Sequence, residues 1–204
     1  MWRPKSVLIW GEQKDGLIIP LALDIELQGE VGIAGQLVNV RLSTNPSKGK
    51  LSFAPTRVQP GAANTVIRRL LVVMTTADKE DAGTDDKIQL RIVNSDGLLA
   101  VNHIFPDTSQ SDQERAQANL YYVPVNIPFS KTELSRDSIR LSILGRDAWL
   151  PDRFFLFGLS EEEGGQPLEF VVPIVHLPTW PLSTLSMQPG GGQEEVILPI
   201  WNFF

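Results

Sequence analysis

Apolar and polar residues alternate one by one in several separate runs of this chain, and that period of two restricts its fold more than any other feature. Leu21, Leu23, Ile25 and Leu27 alternate with Ala22, Asp24, Glu26 and Gln28, and Val38, Val40 and Leu42 with Asn39 and Arg41. Ile88, Leu90 and Ile92 alternate with Lys87, Gln89 and Arg91, and Ile139, Leu141 and Ile143 with Arg140 and Ser142. Successive side chains of an extended strand point to opposite faces, so such runs make half-buried strands of an antiparallel sheet. Helical periodicity is hard to find. The best stretch, "SQSDQERAQANL", has no large apolar residue before Leu120 and reads as a short surface helix or a loop. Turn signals such as "NPSKGK", "QPGAAN", "NSDG" and "EEEGGQP" separate the strands at near-regular intervals. Many short strands so spaced predict an all-β fold, an antiparallel β-sandwich.

At 204 residues the chain is long enough for one large domain or two small ones with a real core. A net charge of -6, with basic residues scattered and only Arg68 and Arg69 adjacent, argues against nucleic-acid binding. There is no cysteine, which excludes disulfides, thiol nucleophiles and cysteine zinc sites. The apolar patch after the N-terminus runs only from Val7 to Trp10, too short for a secretory signal, and no run approaches a membrane span. The chain as given is therefore expected to be cytoplasmic, to be exported without a recognisable signal peptide, or to form part of a particle.

Three parts are expected. Residues 1–66 supply N-terminal strands, and the pieces "VRLSTNP" and "LSFAPTRVQPGAANT" resemble immunoglobulin-like modules, which implies an added β layer or small domain. Residues 67–178 form the main sandwich. Residues 179–204 are a Pro- and Gly-rich linker, with "QPGGGQEE" as a flexible hinge, followed by the apolar strand or tail "VILPIWNFF".

The middle of the chain is more specific. "RLLVVMTTADKEDAGTDDKIQLRIVNSDG" runs from a strand through an acidic turn with Ala82-Gly83-Thr84-Asp85 into a second strand and the turn at Asp96-Gly97. "SDQERAQANLYYVPV" and "SIRLSILGRDAWLPDRFFLFGL" follow in order. Together, over residues 68–177, these resemble the PLAT (lipoxygenase homology) domain, the β-sandwich of lipoxygenases, animal lipases and the α-toxin class of clostridial phospholipases. The chain departs from that pattern with Gln113 for a Phe, Ala116 for a Gly and Arg153 for a Trp.

Calcium takes six to eight hard oxygens in loose geometry, and an acidic loop containing Gly and Thr supplies them. A sandwich gathers its loops at its ends, so Asp81, Asp112 and Asp152 could converge although distant in sequence. The resemblance implies Asp81, Gly83, Thr84, Asp112 and Asp152 as ligands of Ca2+, with Asp107 as a further candidate, while Asp85 and Asp86 read as solvated. The bland alternative is a soluble surface turn that blunts a sheet edge. In "GRDAWLPD", Trp149 and Leu150 sit beside Asp152 at a predicted loop tip, and the resemblance implies apolar contact with a membrane or partner. The alternative there is a Trp folded back onto the core.

No catalytic signature stands out. His103 and His176 lie in apolar strand-like sequence, where a packed histidine is commoner than a general base, and no nucleophile elbow, His-Glu-x-x-His pair or phosphate loop is present. The expectation is not an enzyme but a non-catalytic binding module, calcium-dependent by resemblance, docking on lipid or a protein partner. The rival is a structural assembly subunit of capsid, tail, fibre or filament type, a homo-oligomer or larger assembly packing through sandwich edges and the apolar tail. That tail either completes the chain's own sandwich, the favoured reading, or is donated to a neighbouring copy.

Overall fold

The computed structural model describes residues 6–12, 18–26, 58–105, 113–160 and 169–201. Asp107, Asp112, the alternation at 38–42 and most of the immunoglobulin-like stretch lie outside them. The chain divides into two units, Met1–Pro60 and Gly61–Phe204. In the first, β1 (Ser6–Glu12) and β2 (Ile18–Glu26) pair antiparallel, and β3 (Val58–Pro60) is three residues long.

The second unit is all-β, a sandwich of two antiparallel sheets. Its strands are β4 (Ile67–Thr76), β5 (Ile88–Val93), β6 (Leu99–Ile104), β7 (Ala118–Phe129), β8 (Ile139–Ile143), β9 (Pro151–Ser160), β10 (Glu169–Leu177) and β11 (Glu195–Ile197). One sheet runs β10-β9-β4-β7 and the other β11-β8-β5-β6. The only helix among the described residues is a single 3-10 turn, Lys131–Glu133. No helix among them is long and apolar enough to cross a membrane.

Why these strands pack as they do follows from their pattern. In β5 every second residue is buried, Ile88, Leu90 and Ile92, and β8 buries Ile139, Leu141 and Ile143. These side chains meet Leu70, Val72 and Met74 of β4 and Phe154 and Leu156 of β9 in one core between the sheets. Such face-to-face burial, at about 25 cal/mol per Å² of apolar surface removed from water, is what holds two sheets together. The β10-β9-β4 part differs. Leu71, Phe155, Phe157 and Leu159 point away from that core, yet all are buried. Their strands are accordingly near-continuous apolar runs, "FFLFGL" being the clearest.

Residues 113–117 take the loop alternative, a turn with the Gln117 N–H donating to the Glu114 carbonyl at 3.0 Å, while 118–120 differ from expectation by opening β7. The "QPGGGQEE" stretch is not a hinge. The Gly191 N–H donates to Gln188 O at 2.9 Å, and 184–186 and 193 exchange two bonds of 2.9 Å, so the segment is a closed turn. Beyond it, Val196 of β11 pairs with Leu141 of β8, Leu198 is fully buried, and the Trp201 N–H donates to Ile174 O of β10 at 2.8 Å. The described part of the tail is thus placed on its own sandwich, crossing from one sheet to the other.

Candidate functional site at the loop end

The loops 77–87, 113–117 and 144–150 are knitted together at one end of the sandwich. Ala77 N–H donates to Leu150 O at 2.9 Å, Leu150 N–H to Ala82 O at 3.0 Å, and Ala116 N–H to Ala77 O at 3.3 Å. Thr76 anchors the junction. Its Oγ1 accepts from Trp149 Nε1 and donates to Gln113 O, each at 3.0 Å. A buried indole N–H left without an acceptor would be costly, so this relay fixes Trp149 in place.

Trp149 is therefore not at an exposed tip. It is fully buried, and its backbone exchanges bonds with Leu185 in both directions at 2.8 and 2.9 Å. Leu150, half-buried, spends its backbone on clamping the acidic loop. The docking role expected of Trp149 does not fit this placement. The folded-back alternative does, because the indole fills core volume and its one polar atom is satisfied.

The acidic loop is likewise more built than a solvated turn. Asp86 Oδ2 accepts from the Asp147 N–H at 2.6 Å, and its carboxylate lies where a Cβ on Gly145 would be, within 1.9–2.1 Å of that position. Only glycine can stand at 145 without displacing it. Asp147 returns the bond by accepting from the Asp85 N–H at 3.3 Å, and Thr84 Oγ1 accepts from the Asp86 N–H at 3.0 Å. Asp86, read from sequence as solvated, is instead a bracket between two loops. Asp78 is held by Arg115 Nε at 2.7 Å, with both side chains largely exposed.

The expected ion ligands are only partly gathered. Asp81 is exposed, at φ 54, in the left-handed region where Asp is tolerated better than most residues. Gly83 abuts the 113–115 backbone, where a Cβ would meet Arg115 N at 3.1 Å. Thr84 is buried with its hydroxyl already bonded. Asp152 faces outward on β9 and pairs with Arg153 at 3.2 Å. Among the described residues, no three His, Cys, Asp or Glu side chains come together to hold a metal ion. Asp81, Gly83, Thr84 and Asp152 are thus not gathered into one set among the described residues, and Asp112 lies outside them.

Two exposed apolar side chains at this end were not among the expected site residues. Leu144 is 42% exposed and Met187 44%. Met187 N–H donates to Gly145 O at 3.1 Å, which brings the two residues to neighbouring positions on adjoining loops. The available signal was the extra apolar residue after Ile143 in "SILGRD", which breaks the alternation just before a glycine turn. The two histidines pack against rings. His103 meets Phe105 edge-on at 5.0 Å and is kept below its ordinary pKa by burial, and His176 meets Phe155 at a tilt and Trp201 edge-on, 5.3 Å from each.

No family model and no curated protein matches the chain. Among solved structures it is similar to the alpha toxin from Clostridium absonum, at 16% identity and a TM-score of 0.43 over 63% of this chain and 33% of that one. A lipoxygenase (LOX) variant gives 17% and 0.44 over 68% of this chain and 17% of that one. The alpha-toxin of an avian strain of Clostridium perfringens gives 15% and 0.41 over 55% and 32%. The chain thus spans a third or less of each of these proteins.

Proposed function

We propose that this chain is a non-catalytic binding module that docks on a lipid surface by its loop end. The observation that carries the reading is the pair Leu144 and Met187, exposed on loops joined by the Met187 N–H to Gly145 O bond, the first of them braced by the Asp86–Asp147 bracket and the Trp149–Thr76 relay. Apolar side chains on a preorganised end lose little entropy when they enter an interface, and each contributes up to about 1.5–3 kcal/mol if fully buried there. Residues 78–87 carry five acids against two lysines, so the bare end favours zwitterionic over anionic lipid.

The test is co-sedimentation with phosphatidylcholine vesicles. Replacing both Leu144 and Met187 by Asp should lower binding about tenfold or more. Unchanged binding overturns the reading, and recovery of a protein partner in place of vesicle binding shifts it to a protein surface. Calcium enters through the same experiment, because a millimolar requirement lost in Asp81→Asn would add the cation to the mechanism.

A structural assembly subunit is the second reading. It is favoured by β7, which stands last in its sheet's order, is 12 residues long and exposes Tyr122 and Ile127. Pro124 and Pro128 withhold their N–H groups from any added strand, which opposes it. Light scattering decides: a mass that stays at one chain as concentration rises removes this alternative.

A further inference from the structure

The outer face of the β11-β8-β5-β6 sheet carries a shallow depression of about 410 Å³, away from the loop end and toward the turn at 135–138. That volume lies within the range of small-ligand sites. Two of its lining residues, Arg91 and Arg140, belong to a three-strand ion cluster whose carboxylate lies beside the depression. Glu195 of β11 accepts from Arg140 Nη1 of β8 through Oε1 at 2.8 Å and from Arg91 Nη2 of β5 through Oε2. Both guanidiniums are thereby fixed in orientation, while Arg91 Nη1 and Arg140 Nη2 carry no bond among the described residues.

Amides and hydroxyls surround them. Gln89 Nε2 donates to Asn102 Oδ1 at 2.7 Å, which leaves Gln89 Oε1 as an acceptor and Asn102 Nδ2 as a donor. At the far rim Ser138 Oγ accepts from the Ser135 N–H at 2.8 Å, and exposed Asp137 sits between them in sequence. Half-buried Val93 and exposed Leu99 add apolar lining.

The chemistry of the lining selects a ligand class. Two arginines are balanced by Glu195 and Asp137, so the depression as a whole favours no ion of either sign. What it offers is planar groups with donors and acceptors side by side, held rigid by one another, next to apolar lining. Adjacent hydroxyls on a ring are both donor and acceptor and suit such paired planar groups, and the ring's C–H faces suit the apolar lining. We propose that this depression binds a neutral saccharide of one or two rings, with Arg140, Asn102 and Gln89 as its hydrogen-bonding contacts.

The experiment is titration of the full chain with cellobiose, maltose and lactose, followed by calorimetry and by the side-chain amide NMR signals of Gln89 and Asn102. At least one disaccharide should bind, shift both amides, and bind at least fivefold more weakly to Asn102→Ala, an exposed position whose change leaves the ion cluster intact. Arg140→Met should abolish binding. The proposal is overturned if none of the three binds, or if both variants bind as the parent chain does. It is also overturned if a glucuronate-containing disaccharide binds more than tenfold tighter than its neutral counterpart, because the site would then select charge.

Discussion

The two sheets of the sandwich are built on different rules. In β11-β8-β5-β6 the alternation is clearest in β5, with Ile88, Leu90 and Ile92 inward and Gln89, Arg91 and Val93 outward. In β10-β9-β4-β7, the strands β4, β9 and β10 bury side chains on both faces, and β9 is buried at every position from Phe154 to Ser160. The first is a sheet with one dry and one wet side, which frees its outer positions to carry arginines, amides and a carboxylate. In the second, the strands β4, β9 and β10 have little wet surface to lend to polar chemistry. Its contribution to binding comes through the loops at its ends.

The largest test of this difference compares matched outward positions. Phe157→Ala should cost about 3–5 kcal/mol in urea unfolding although Phe157 points away from the inter-sheet core. Gln89→Ala, outward on the other sheet, should stay within about 0.5 kcal/mol. Equal costs at the two positions would erase the contrast. Next in size is Trp149→Phe, which keeps most of the ring but removes the N–H that Thr76 accepts. A loss of about 1–2 kcal/mol is expected, and a neutral result would show that the relay does not hold the loops.

A smaller effect belongs to the wet face alone. Burial pushes the Glu195 carboxyl up, but hydrogen bonds and charge from Arg140 and Arg91 together hold it below its ordinary range. A carboxylate with a depressed folded pKa adds stability that is complete above its unfolded pKa and is lost as pH falls through the folded one. Acid titration of stability should therefore show a component below about pH 4.5 that disappears in Glu195→Gln. The smallest change expected is a gain. Ala116 sits at φ 59, where a Cβ is strained, so Ala116→Gly should stabilise by about 0.5–1 kcal/mol despite the extra freedom it gives the unfolded chain.

How much of this could be read from the sequence followed the same division. The alternating runs at 87–93 and 139–143 announced both their strands and their inward residues, because a half-wet strand writes its two faces into every second letter. The strand "FFLFGL" shows no such period, so its double burial could be seen only once the sheet was assembled. At the loop end the acidic turn was placed correctly between β4 and β5, but not the work of its carboxylates. Whether Asp86 faces water or a backbone N–H 61 residues away depends on how 145–147 folds over it, and local spacing holds no record of that. Trp149 was misplaced for the same reason, since its acceptor Thr76 lies 73 residues earlier. The outward arginines at 91 and 140 were visible as letters, but the carboxylate that unites them lies in β11.

That last link sets an order in time. β5 and β6 are neighbours in sequence, and Gln89 finds Asn102 only 13 residues away. Arg91 must wait for Glu195 across 104 residues. Long closures are slow because their entropy is lost before any contact rewards it. In a refolding chain the β5-β6 hairpin should be protected from amide exchange early and β11 late. The saccharide face would be the last surface of the sandwich to mature, and an intermediate lacking β11 would carry two unneutralised guanidiniums and a transiently basic patch on an acidic protein.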